Sequence, residues 1–135
     1  MTALVAAPPW TPPLDSSELA DVLAKIRQWT PYDGDALLED VGAVLDDVVP
    51  QEDELEDHAQ RLRGHLMRLV DIAVAQEAGQ SDPEALRLIR QGRDVRAQEL
   101  PGDHMKAVGH LRRMAWTVNE LLERLAALRC VKEAA

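Results

Sequence analysis

Phenylalanine is absent from these 135 residues, and tyrosine and cysteine occur once each. A single cysteine excludes an internal disulfide framework and any cysteine-rich zinc or iron–sulfur site. So few aromatic side chains leave no stacking platform for single-stranded nucleic acid. Basic residues are also in deficit, 15 against 24 acidic, for a net charge of −9. That balance opposes generic binding to nucleic acid or to an anionic membrane surface, because neutralising phosphate requires an excess of cations. No apolar run approaches the ~20 residues that cross a bilayer, and the first residues lack the basic start of a secretory leader. The expectation is a cytoplasmic protein with one core, a length at which roughly two-thirds of the unfolded surface is buried.

What is present is helical periodicity. Residues 1–14 carry Pro8, Pro9, Pro12 and Pro13 around Trp10 and read as an extended arm, either loose or docked through the indole. Residues 15–132 read as a single helical-bundle domain. Asp15 and Glu18 make a capping-box-like start before Leu19, Val22, Leu23, Ile26 and Trp29 on one face. Asp33 or Asp35 opens a second helix carrying Leu37, Leu38, Val41, Val44, Leu45 and Val48 until Pro50. A longer third helix is predicted over about 52–78. The restart Ser81-Asp82-Pro83-Glu84 leads a fourth to about residue 99, and Leu100-Pro101-Gly102-Asp103 separates it from a last helix running to about 131. With no alternating segment of useful length, the chain is predicted to be all-α. The expected architecture is a compact bundle of about five helices with the long third and last helices forming the core.

In the last helix Val108, Leu111, Ala115, Val118, Leu122 and Leu125 recur every three or four residues, beside Ala107, Met114, Leu121 and Leu128 seven apart. The two rows span about 160° at 100° per residue, enough to touch two or three other helices. Trp116 points about 160° away from that face, with Gly109 two turns before it and Arg112, Asn119, Glu120 and Glu123 around the pair. An indole beside a glycine on an outer face is the mark of something packing there. The arm with Trp10, another helix, a second subunit, a ligand or plain solvent all remain open. Gly109, Arg112, Trp116, Asn119 and Trp10 are the candidate interface residues.

Chemistry is harder to read. Eleven acidic residues and no basic one lie between Thr30 and Gln60, in an order that fails the calcium-loop template. They read as a solvated face or a docking surface for cations, the chain's own arginines included. Arg90 and Arg93 fall within an apolar stripe of Leu86, Ile89, Ala97 and Leu100. Either they form a partly buried anion site or a seam with the acidic second helix, or Gly92 breaks the helix and turns both to water. The latter is the favoured reading. His65 lies in line with His58 and Ile72 at the margin of the third helix's apolar face. His104 and His110 lie on the core side and at the edge of the last helix. Histidines so placed are usually structural, and a ligand or general-base role is the alternative. His65, Arg90, Arg93, His104 and His110 are therefore the candidate ligand-binding residues. No nucleophile–base pair, metal-ligand set or cofactor motif is legible, so no metal or cofactor is expected.

The segment Leu100-Pro101-Gly102-Asp103-His104, with Gly109-His110-Leu111-Arg112-Arg113-Met114-Ala115-Trp116-Thr117-Val118-Asn119-Glu120-Leu121-Leu122, resembles a family of small actinomycete proteins labelled "natural product biosynthesis protein". The resemblance is strongest over 62–130. It implies an accessory protein of secondary metabolism and brings no catalytic residues with it. The expectation is a non-enzymatic interaction module that binds a protein partner or a second copy of itself, without direct nucleic-acid or membrane contact. A cofactor-independent enzyme or a binder of a small metabolite, using an inter-helix pocket, is the alternative. An acidic accessory to a DNA-binding partner is the third reading.

Overall fold

The computed structural model describes residues 16–29 and 32–131, without the side chains of 23–29. The proline-rich arm 1–14 with Trp10, the Asp15 cap and the packing of Trp29 lie outside the described residues. Among the described residues there is no strand. Six helices follow in order: α1 Ser16–Trp29, α2 Gly34–Leu45, α3 Leu55–Ala75, α4 Ala78–Ser81, α5 Pro83–Ala97 and α6 His104–Ala127. A 3-10 turn, Glu52–Glu54, leads into α3.

Three aspartates start three of these helices. The carboxylates of Asp33, Asp82 and Asp103 accept from the amides of Ala36, Ala85 and Lys106, each at 3.0 Å. These amides belong to first turns and have no partner within their own helix. Asp82 does more. Arg124 Nε and Nη2, from the far end of α6, donate to its two carboxylate oxygens at 2.6 Å each. One buried side chain thus caps α5 and ties it to α6.

The breaks differ from expectation in three places, the simplest being that the last helix ends at Ala127 rather than near 131, ahead of Arg129 at φ 60°. The predicted continuous helix over 52–78 is a 3-10 turn, α3 and α4, because Glu77 takes a left-handed conformation at φ 56° and turns the chain. Gly79 is not the breaker: a Cβ there would lie 3.3 Å from Leu86 Cδ1, so its smallness lets α4 approach α5. The second helix ends at Leu45, not at Pro50, and Val48 is 73% exposed. The β-branched pair before Pro50 disfavours helix, and the last α2 carbonyls find partners outside the helix.

The core lies where α6 meets α3, with α2 and α5 on its flanks and α1 packed on α3. Ala59, Leu62, Leu66, Leu69 and Ala73 of α3 face inward, as do Leu111, Met114, Ala115, Val118, Leu121 and Leu125 of α6, all without solvent exposure. The helical period predicts each of these positions except Ala59 to lie inside. Removing one such leucine to alanine costs about 2–5 kcal/mol.

The predicted register of α5 was wrong. Its buried row is Ala85, Leu88, Ile89, Gly92 and Val95, whereas Arg90, Arg93 and Ala97 face solvent. The helix runs unbroken through Gly92. A Cβ at Gly92 would meet Leu66 Cδ2 at 3.5 Å, Val70 Cγ2 at 3.6 Å and Thr117 Cγ2 at 3.9 Å. Here α5 packs against both α3 and α6. Beside it the buried Thr117 hydroxyl donates to the Arg113 carbonyl at 2.8 Å and accepts from Gln91 Nε2 at 2.9 Å. Arg90 and Arg93 face water as favoured, but through a different register rather than a break.

Two expectations follow. Gly92→Ala places its methyl in ordinary van der Waals contact and gains helix propensity, so it raises stability by roughly 0.5–1 kcal/mol. Gly92→Leu forces the helices apart and lowers stability by about 1–3 kcal/mol; urea unfolding measures both. The paired guanidinium of Arg124, and then the Ala85 amide, hold the Asp82 carboxyl below its usual value near 3.8. Its contribution is therefore complete above that value and lost as pH falls through the lower, folded-state value. Asp82→Asn retains a capping side chain but loses the ion pair. Its melting temperature should fall below wild type at neutral pH and converge with it in strong acid.

Candidate interaction surface

Each candidate residue sits in a definite setting. His65 Nε2 donates to Asp40 Oδ2 at 2.7 Å, and Arg61 Nε meets Asp40 Oδ1 at 3.3 Å. Two side chains of α3 thus pinch one carboxylate of α2. This is the seam between the acidic second helix and the chain's own basic groups, but α3 supplies it rather than Arg90 or Arg93. His58 Nδ1 accepts from Arg61 at 3.2 Å. His104 Nε2 donates to the Pro50 carbonyl at 2.9 Å.

The structure does not bring the histidines together. Among the described residues no group of three His, Cys, Asp or Glu side chains is arranged to hold a metal ion. A minority of the acidic stretch is committed locally: Asp33 caps α2, Asp40 joins the seam, and Glu56 accepts from Gln60 at 3.1 Å. Asp35, Glu39, Asp46, Asp47, Glu52, Asp53 and Asp57 face solvent.

His110 departs from expectation. It was placed at the edge of the apolar face but is 1% exposed, and its Nε2 has no hydrogen-bond partner. Position 110 is two turns before Thr117 on nearly the same line of α6, which faces inward between α3 and α5. Burial pushes the imidazole below its ordinary value near 6.5, and the cations Arg113 and Arg63 push it the same way. It is therefore held neutral. A neutral imidazole hidden among packed helices is poorly placed to exchange protons with a substrate.

An open cleft of about 380 Å³ lies between Glu56 and Arg63 of α3 and residues 96–100 at the end of α5. Two arginines, Arg63 and Arg96, line it, and neither was a sequence candidate. None of His65, Arg90, Arg93, His104 and His110 does. The pocket expected around those residues is not this one.

The outer face of α6 is built differently. Arg112, placed by sequence beside Trp116, reaches sideways: its Nε and Nη2 donate to the carbonyls of Val44 at 3.3 Å and Asp46 at 3.1 Å. Since α2 has no basic residue in its last turn, Arg112 satisfies that C-terminus from a neighbouring helix. Together with His104 on Pro50, it fastens both ends of the 46–50 connection to α6.

Trp116 remains 54% exposed, in the middle of a helix whose opposite side is fully buried. A Cβ at Gly109 would have nothing within 4 Å, and Met105, one turn further back, is 63% exposed. Asn119 Nδ2 donates to Glu123 Oε1 at 3.3 Å. Arg113 is exposed, and Glu120 lies 3.5 Å from Arg87 of α5. The result is an apolar centre, Met105, Gly109 and Trp116, bordered by Arg112, Arg113, Asn119, Glu120 and Glu123. Met105 and Arg113 were missed because the sequence argument stopped at the residues nearest the indole.

These helices define a small all-α domain, and residues 35–130 match the family of unknown function DUF6415. The chain belongs to that family. The match begins at the start of α2, further towards the N-terminus than the resemblance read from residues 62–130, and leaves α1 outside it. No curated protein and no solved structure matches the chain. No described helix is long and apolar enough to cross a membrane.

The setting of His110 carries a pH expectation. Because its folded value lies below its unfolded one, the unfolded chain binds more protons between the two. Stability therefore falls as pH drops below about 6.5 and levels off once the folded form also protonates. His110→Phe should flatten that slope, gaining on wild type at about pH 5 relative to about pH 7.5 in urea midpoints. An unchanged slope would show that His110 finds a partner in solution.

Proposed function

We propose that this protein is a non-enzymatic interaction module whose working surface is the outer face of α6. The observation that carries this reading is Trp116, a half-exposed indole in the middle of a helix whose opposite side is buried, beside the open position at Gly109. Large aromatic side chains with arginine at their border are the usual anchors of protein–protein contacts. The candidate ligand-binding residues add support by being occupied elsewhere: His65 and His104 hold the fold, and Arg90 and Arg93 are solvated. The resemblance over residues 100–122 to proteins labelled for natural-product biosynthesis extends the reading to an accessory role in secondary metabolism, in the cytoplasm of an actinomycete. Its acidic balance fits a protein partner better than nucleic acid.

A metabolite-binding reading has one observation in its favour, the open cleft of about 380 Å³ beside Arg63 and Arg96. Arg63 and Arg96 of the cleft are the groups that would meet an anionic metabolite there. Their joint replacement by glutamine should then abolish ligand-dependent thermal stabilisation.

Photo-crosslinking in the native host tests the main reading. A benzophenone amino acid at position 116 should yield discrete protein adducts, while the same group at exposed Arg90 should not. Equal, diffuse labelling at both positions overturns it.

A further inference from the structure

The charges bordering Trp116 are arranged so that the face complements itself. On a helix of 100° and 1.5 Å per residue, Trp116 marks the centre line. Arg113, three residues before it, and Glu120, four after it, lie on one flank. Arg112, four before, and Asn119, three after, lie on the other. A two-fold axis in the plane of contact, perpendicular to α6 at Trp116, turns each flank onto itself and reverses the helix direction. Arg113 of one copy then stands level with Glu120 of the second copy, offset by about 1.5 Å along the axis, and Arg112 stands level with Asn119. On the centre line the reversal sets Glu123 opposite Gly109, where a Cβ would have open space and the backbone leaves room for a longer side chain.

We infer that the partner of this face is a second copy of the same chain, docked antiparallel through α6 about a two-fold axis at Trp116. The inference rests on the reading of this face as the interaction surface and adds the occupant. Three observations support a copy over an unrelated partner. Cation and anion are balanced about the indole, so parallel docking or a register slip of one turn would lose the Arg113–Glu120 pairing. The exposed apolar groups, Trp116 and Met105, lie on the same stripe as Gly109, the smallest residue, so a copy can bring two helices close. Arg112 is already fixed by the α2 carbonyls, so docking requires no further ordering of that side chain. A single helix pair buries little surface, so the dimer belongs with small, reversible interfaces below about 1,200 Å².

Sedimentation equilibrium of the full chain, up to about 1 mM, tests this. Wild type should show a monomer–dimer equilibrium that Trp116→Ala weakens roughly tenfold or more. Arg113→Glu alone sets two carboxylates against each other, and Glu120→Arg alone sets two guanidiniums together; each should weaken the dimer. The double variant Arg113→Glu/Glu120→Arg restores opposite charges across the axis and should recover association, which a merely structural role for either residue would not produce. Circular dichroism keeps unfolded variants out of the comparison. A dimer indifferent to the charge exchange overturns the inference. So does a monomer at every concentration: if position 116 still forms adducts in cells, the interaction reading stands and only the second copy is wrong. If it forms none, both are wrong.

Discussion

Everything in this molecule is arranged around the burial of α6. Its apolar arc is too wide for one neighbour, so α3, α2 and α5 must all pack on it. The remaining sector, the stripe through Met105, Gly109 and Trp116, has no described element to cover it. A helix buried on three sides and apolar on part of the fourth is costly to leave in water, and that imbalance makes the outer face the functional candidate.

The supporting elements are tied to α6 by polar groups rather than by further apolar bulk. Asp82 with Arg124 fixes the start of α5, Thr117 with Gln91 fixes its middle, Arg112 closes the end of α2, and His104 holds Pro50. Arg112 satisfies carbonyls at the end of α2, Asp82 caps the first turn of α5, and His104 satisfies a loop carbonyl. The charged residues of α6 are thus divided between two tasks. Arg112 and Arg124 hold the bundle, Glu120 lies beside Arg87 of α5, and Arg113 and Glu123 are left on the surface.

That division shows where a one-dimensional reading stops. The α3 and α6 rows were legible because both helices are long, regular and buried along a full stripe. The fourth helix misled because Leu86 and Leu100 drew the apolar stripe towards Arg90 and Arg93, while its true contact line includes Gly92, a residue with no side chain to register in a hydrophobic pattern. The left-handed turn at Glu77 carries no glycine to announce it. His110 read as an edge residue because the width of the buried arc depends on how many helices surround it, which a single helix cannot reveal.

By itself, the sequence determined the fold class, most helix limits, the two core rows and the outward direction of Trp116. These follow from the helical period, from aspartate caps and from proline, all of which act over a few residues. Only the tertiary structure decided which charges are spent inside the fold, that Gly92 is a contact and not a break, and that Arg112 caps a helix 68 residues away in sequence. Such pairings depend on helix order and distance in space, and local periodicity carries no information about either.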